Sequence, residues 1–265
     1  MQIRKLPHSD LGLERCNHVK SLRGKNILIT SGPTRGYVDA VRYISNKSTG
    51  KLGATIATEA LKRDACVTFV YGTGSSIPDI NLLGKNCASR LMLIEIETIN
   101  DLLTTIQEKL KGKSFNAIVH AMAALDYSPE KQSEGKIAST KDTLTITLLK
   151  TPKVIKQIRA LWPHAFLIGF KLEVGLSKDE LMERAYASMI ESGADLVVAN
   201  DQNEIVGDKH SAYLINSQKE VESGCETKQD IASNLMDLIA KNCNRLHGVP
   251  NPKESEAKIK RRKGE

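Results

Sequence analysis

The sequence predicts an α/β protein built on a doubly wound, mostly parallel sheet, and three observations carry that prediction. Short apolar runs of strand length recur along the chain, segments with helical spacing of apolar residues separate them, and Gly-, Ser- and Thr-rich stretches punctuate the joins. Strands that alternate with helices of this length connect by crossovers, which makes neighbours parallel and places helices on both faces.

In chain order, Asn26-Ile-Leu-Ile-Thr30 is an apolar run stopped by Ser31-Gly32-Pro33, and it reads as the first buried strand. From Gly50 to Arg63, Leu52, Ile56, Ala60 and Leu61 share a helical face, with Ser48 or Thr49 as the N-cap. Strands follow at Cys66–Tyr71, Met92–Ile96 and Asn116–Met122. Between the last two, Ile99, Leu102, Leu103, Ile106 and Leu110 mark an amphipathic helix over 98–111. The pattern continues with strand 143–149, helix 152–161, strand 166–172, helix 178–192 and strand 196–200. A small hairpin extension around Ala212–Glu222 and a helix from Thr227 to Arg245 close a Rossmann-like α/β domain spanning 26–247.

The charge lies at the two ends. The formal net charge is +7, and residues 1–25 hold six Lys/Arg against Asp10 and Glu14. Residues 248–265 hold six against three acids, so the two ends carry the whole excess and 26–247 balance to zero. They read as a basic N-terminal extension and a basic disordered tail. A neutral centre is not the electrostatic footprint of a nucleic-acid-binding surface. Five cysteines (Cys16, Cys66, Cys87, Cys225, Cys243) form no C-x-x-C pair, and no secretory leader precedes them, which points to reduced thiols in the cytoplasm. No apolar run approaches the roughly 20 residues that a membrane span needs.

Ligands of open parallel sheets bind beyond the carboxyl ends of the strands. That rule selects loops 31–50, 72–90, 121–142, 170–177 and 199–208. The first holds Ser31-Gly32-Pro33-Thr34-Arg35-Gly36 where dinucleotide enzymes keep their phosphate loop, yet G-x-G-x-x-G is absent. The looser G-x-x-x-G-x-G fails at Val38, and the second strand ends Val70-Tyr71-Gly72-Thr73 with no carboxylate for a ribose hydroxyl. Tyr127 and Lys131 match a reductase spacing, but Pro129 between them opposes a continuous helix. A nicotinamide reductase is therefore disfavoured. Small and hydroxylated residues before the helix near Gly50 suit either an ordinary capped helix or a phosphate at its N-terminus.

Gly32-Pro-Thr-Arg35, Asp39, Val41-Arg-Tyr-Ile-Ser-Asn46, Ser48 and Gly50-Lys51 together resemble the opening signature of the phosphopantothenate–cysteine ligases. His120-Ala-Met-Ala-Ala-Leu-Asp126-Tyr127 resembles that family's strand-end segment, Lys136-Ile137 its flap, Phe170-Lys171 its nucleotide pocket, and Asn200-Asp201 the end of its late strand. These motifs run in family order from about residue 25 to 240.

The resemblance implies roles. Asn46 would contact the activated acyl group through its amide N–H₂, and Arg42 would bind the acid. Lys136 would close over the triphosphate as pyrophosphate leaves. Gly32, Ser48, Gly50, Asp126, Phe170, Lys171, Asn200 and Asp201 would bind or shape the nucleotide pocket, with Asp126 facing either the base or Mg²⁺. The bacterial fused members' second flap lysine is Ala138 here. Read without the family, His120 packs within its strand and Lys136 is solvated surface. The implied activity is ligation of 4′-phosphopantothenate to cysteine in coenzyme A biosynthesis, with CTP ahead of ATP and Mg²⁺ as companion ion. A homodimer of the stand-alone, monofunctional type is implied as well. The alternative is a non-catalytic nucleotide-binding or scaffold protein of the same fold.

Overall fold

In chain order β1 (Asn26–Ser31) leads into a hairpin, β2 (Arg35–Tyr37) and β3 (Tyr43–Ser45), then α1 (Lys51–Lys62), β4 (Cys66–Gly72), α2 (Lys85–Ala88) and β5 (Leu91–Ile96). Next, α3 (Ile99–Thr104) continues as a π-helical turn over Thr105–Lys109, followed by β6 (Ala117–His120), β7 (Tyr127–Pro129), β8 (Leu148–Lys150), α4 (Val154–Leu161) and β9 (Phe166–Glu173). The order ends with α5 (Lys178–Ser192), β10 (Leu196–Val206), β11 (Lys209–Asn216), β12 (Val221–Thr227) and α6 (Lys228–Leu246). This is a computed structural model that describes residues 21–79, 85–140 and 142–246. The expected tail at 248–265, and the expected extension up to residue 20, lie outside the described residues.

Eight strands form one sheet in the order β12-β11-β10-β9-β6-β1-β4-β5. The six from β10 to β5 are parallel, while β11 and β12 fold back antiparallel. The hairpin read at Ala212–Glu222 is therefore the edge of the main sheet and not an extension from it. From β1 the chain winds outward to β4 and β5, then crosses to the other side of β1 at β6. The winding reverses between β1 and β6, which is where an open α/β sheet leaves a ligand crevice.

Period-two alternation divides the strands between two cores. Ile27 and Ile29 of β1 pack with Phe69 against Ile56 and Leu61 of α1 and Leu235 and Ile239 of α6. Leu28 and Ile118 face the other way, onto Leu102 of α3, Ile158 of α4 and Leu181 and Met189 of α5. The folded unit starts before residue 26: Leu22 is fully buried, and its N–H donates to the Arg63 carbonyl at 2.7 Å. Arg63 is itself buried, but its guanidinium reaches Glu59 at 2.8 Å and Asp237 at 2.7 Å, so no lone charge is left in the interior.

Several expectations are corrected. The strand expected over 143–149 reduces to Leu148–Lys150, paired with β7 in a separate two-stranded sheet. Its Thr/Leu/Ile alternation favours extended backbone, but a strand exists only where a partner takes its N–H and C=O groups, and β7 offers three residues. β6 ends at His120, short of Met122. The N-cap of α1 is Gly50 in the left-handed region (φ 72°) with no side-chain cap, not Ser48 or Thr49. Among the described residues no helix is long and apolar enough to cross a membrane.

Candidate functional site

An open cavity of about 440 Å³ lies beyond the ends of β6 and β9, beside α4 and α5. Of the residues proposed from sequence it is lined by Asn46, Asp126, Phe170 and Lys171. Lys47, Lys153, Lys156 and Lys171 also line it, against the carboxylates of Asp126 and Glu191, so the walls are net cationic. Three of these lysines are held by acids: Lys153 by Asp126 at 2.7 Å, Lys156 by Glu191 at 2.9 Å and Lys171 by Glu173 at 3.1 Å. The first two pairs are half-exposed, so an incoming phosphate can exchange for the carboxylate at little cost, whereas Glu173 is more buried.

His120 ends strand β6, as the sequence reading had it, and its ring also lines the cavity. It is in register with Thr30 across the β1–β6 pair, and Thr30 Oγ1 is 2.7 Å from its Nδ1. Burial pushes the imidazole down to about 4, so the ring is neutral at physiological pH.

Asn46 follows β3 and is exposed at the cavity rim. Its Nδ2 donates to the carbonyls of Ala123 (3.1 Å) and Ala124 (3.2 Å), tying the hairpin to the loop after β6. Both amide hydrogens are thereby used, so the expected donation from this amide to an acyl oxygen does not match the geometry. Oδ1, an acceptor, is what Asn46 has to offer.

On the β1–β4 side the backbone comes unusually close. A Cβ on Gly72 would meet the Pro33 carbonyl oxygen at 1.9 Å, and one on Gly32, at φ 78°, would meet Ser75 Oγ at 2.0 Å. Ser31 Oγ donates to the Gly50 carbonyl at 3.1 Å, and Ser48 Oγ accepts from the Gly50 N–H at 3.4 Å. With no side-chain cap, the first N–H groups of α1 and its positive dipole end are available to an anion. Gly32, Ser48 and Gly50 gather here, next to the cavity and not in its lining.

The β2–β3 turn holds the flap. Asp39, fully buried, accepts from the N–H groups of Val41 (2.8 Å), Arg42 (2.8 Å) and Ile137 (3.1 Å) and pairs with the Arg42 guanidinium at 3.2 Å. Burial alone would raise its carboxyl, but these N–H groups and Arg42 outweigh it and hold it below the usual carboxylate range. Arg42 Nη2 donates to the Ile137 carbonyl at 3.3 Å, and the Ser133 N–H to that of Val38 at 3.1 Å. Arg42 and the exposed Lys136 are thus brought together over the hairpin turn, while neither lines the cavity.

Asn200 and Asp201 are buried and engaged elsewhere, which corrects their expected place in the pocket. Asn200 Nδ2 is 3.1 Å from His210 Nε2. Asp201 accepts from the N–H groups of Asn203 at 2.8 Å and Leu176 at 3.1 Å. No group of three or more His, Cys, Asp or Glu able to hold a metal exists among the described residues. Asp126, expected to face the base or Mg²⁺, is paired with Lys153 at 2.7 Å. Sequence reasoning also passed over the cavity-lining Lys47 and Lys153. Lys153 looked like a helix-start residue, and nothing local announces a contact with Asp126, 27 residues away.

The fold and site define a Rossmann-like α/β protein with a cationic cavity at its switch point. Residues 22–243 match the family described as the DNA/pantothenate metabolism flavoprotein C-terminal domain, and the chain belongs to that family. It is 38% identical over 224 residues to the coenzyme A biosynthesis bifunctional protein CoaBC of Thermococcus kodakarensis, covering 84% of this chain and 53% of the relative. The Methanocaldococcus jannaschii CoaBC is 27% identical over 230 residues, covering 86% and 54%. The chain thus spans about half the length of these relatives. Among solved structures, the DNA/pantothenate metabolism flavoprotein of Streptococcus pneumoniae superposes with a TM-score of 0.72 at 32% identity, covering 81% of this chain and 98% of that one. A histidine-to-alanine variant of Cab2 in complex with phosphopantothenate-cysteine has a TM-score of 0.69 at 19% identity, covering 86% and 90%, a likeness of fold alone.

Proposed function

We propose that this chain is a ligase that joins 4′-phosphopantothenate to cysteine through an acyl-nucleotide, in coenzyme A biosynthesis. What supports this reading is that Asn46 follows the hairpin strand β3 and lines the cavity, with a region of proposed binding to each side. On one side is the lysine-lined cavity with Phe170, and on the other the hairpin turn where Arg42 meets the Lys136 flap. The relatives' role in coenzyme A biosynthesis points the same way.

A free carboxylate is a poor acyl donor and must be activated. A carboxylate oxygen of the acid attacks the α-phosphorus of the triphosphate, and pyrophosphate leaves. The cysteine amine then attacks the acyl carbon; the nucleoside monophosphate departs with the C–O electron pair, and the amine's proton passes to solvent. The protein contributes position and charge. The cavity takes the nucleotide, with Phe170 beside its sugar or base and Lys171 and Lys153 exchanging their acids for phosphate. Gly32, Ser48 and Gly50 offer the N-terminus of α1 to the phosphates. Arg42 binds the acid, Lys136 closes over the departing pyrophosphate, and Asn46 Oδ1 accepts from the incoming amine. CTP is the first choice of triphosphate and ATP the second, each entering with Mg²⁺.

The active form is a homodimer. Tyr127, Leu144, Leu148 and Leu149 expose apolar surface along the arm that carries β7 and β8; a second copy would cover them. Leu149→Glu is expected to give a monomer by light scattering and to lose activity. A dimer unaffected by that change would place the interface elsewhere.

The deciding experiment supplies purified protein with 4′-phosphopantothenate, cysteine, Mg²⁺ and either CTP or ATP. Pyrophosphate and nucleoside monophosphate should appear in step with the amide. A nucleoside diphosphate product would contradict acyl-nucleotide activation, and triphosphate binding without pyrophosphate would favour the non-catalytic reading.

A further inference from the structure

We propose that His120, oriented by Thr30, binds the nucleotide directly by donating a hydrogen bond from Nε2 to one of its oxygens. This rests on the reading that the cavity takes a nucleotide, and it adds a residue to which neither sequence nor family resemblance gave a part.

The placement comes first. Thr30 ends the inner run of β1 and His120 ends β6, in register across the point where the winding reverses. That junction is where the sheet opens toward a ligand.

The hydroxyl of Thr30 then determines which ring nitrogen carries the proton. Thr30 is fully buried, and the bond to His120 Nδ1 is its one side-chain hydrogen bond among the described residues. If Thr30 accepted from Nδ1–H, its own hydroxyl proton would be buried without an acceptor. If it donates, both groups are satisfied. The second arrangement makes Nδ1 the acceptor and puts the proton of the neutral ring on Nε2. That nitrogen has no protein partner among the described residues, and the ring lines the cavity. The result is a fixed, uncharged donor among the lysines, of a kind that discriminates by direction where an ammonium discriminates only by charge. Burial keeps the ring neutral well below physiological pH, so it is not a general base that cycles through a charged form.

The test is imidazole nitrogen NMR on the full chain, with His120→Gln used to assign the signal. Free wild type should show the Nε2–H tautomer with no titration between about pH 5 and 8, and CTP should shift Nε2. Cytidine reproducing the shift would assign the bond to a base carbonyl, and pyrophosphate reproducing it would assign a phosphoryl oxygen; both support the proposal. Thr30→Val keeps shape and removes the hydroxyl, so it should move the population toward Nδ1–H and weaken CTP several-fold, and Thr30→Ser should restore both. His120→Phe should weaken CTP about tenfold and lower the melting temperature, because the buried Thr30 hydroxyl loses its acceptor, while the double variant Thr30→Val/His120→Phe should regain most of that stability but not the CTP affinity. An Nδ1–H tautomer in wild type, or wild-type CTP affinity in His120→Phe, overturns the proposal while leaving the ligase reading intact. Wild type that binds neither CTP nor ATP overturns both.

Discussion

The floor at the β1–β6 junction and the arm from Tyr127 to Lys150 are built in opposite ways. At the floor, Thr30, Ser31 and Thr34 are buried and each makes a hydrogen bond to a separate segment, while glycines let backbone approach backbone where no Cβ fits. The arm pairs three residues with three, leaves Leu148 and Leu149 40% and 52% exposed, and carries a flap pinned by a backbone bond to Val38 and by the Ile137 N–H on the Asp39 carboxylate. Two strands alone are marginal in water. The cavity floor is thus fixed by the fold of one chain, whereas the arm is held by few contacts of its own.

Four experiments can break or sharpen that contrast. Gly72→Ala forces a Cβ against the Pro33 carbonyl and should cost about 3 kcal/mol by urea unfolding, the upper range for overpacking. A comparable loss from Glu134→Ala in the arm would erase the distinction, since an exposed site should change stability by no more than about 0.5 kcal/mol. Lys136→Ala should slow pyrophosphate release about 100-fold, the scale for one charge-stabilising group, with the melting temperature unchanged; unaltered release would remove Lys136 from the site. Asn46→Ala should slow amide formation about tenfold and let acyl-nucleotide accumulate, as loss of one hydrogen bond predicts. A slower pyrophosphate step instead would assign Asn46 to activation.

The smallest effect concerns pH. Because the Asp39 carboxyl is held below its ordinary value, its contribution is fully present above the usual carboxylate range and is lost as pH falls through the lowered folded value. Hydrogen exchange at the Ile137 amide should therefore stay protected at neutral pH and lose protection relative to the β1 amides only in acid. Loss of protection near neutrality would mean that another group holds the flap.

Much of the fold was legible because β1, α1 and the 98–111 helix declare themselves through strong local periodicity. The 143–149 segment misled because alternation specifies a conformation but not a partner. Of the residues lining the cavity, Asn46, Asp126, Phe170 and Lys171 were singled out by motif, yet their contacts were not. That the Asn46 amide is spent on two carbonyls 77 and 78 residues away, or that Thr30 meets His120 90 residues on, depends on strand order, which no local pattern encodes. Asn200 showed the converse: a residue at the right sheet edge whose side chain is committed to His210.

The most direct test of the account follows oxygen. With heavy oxygen in the carboxylate of 4′-phosphopantothenate, one labelled atom should appear in the nucleoside monophosphate, because the carboxylate attacks the α-phosphorus and its oxygen leaves with the nucleotide. Label in inorganic phosphate, or none outside the acid and its amide, would contradict an acyl-nucleotide at this site.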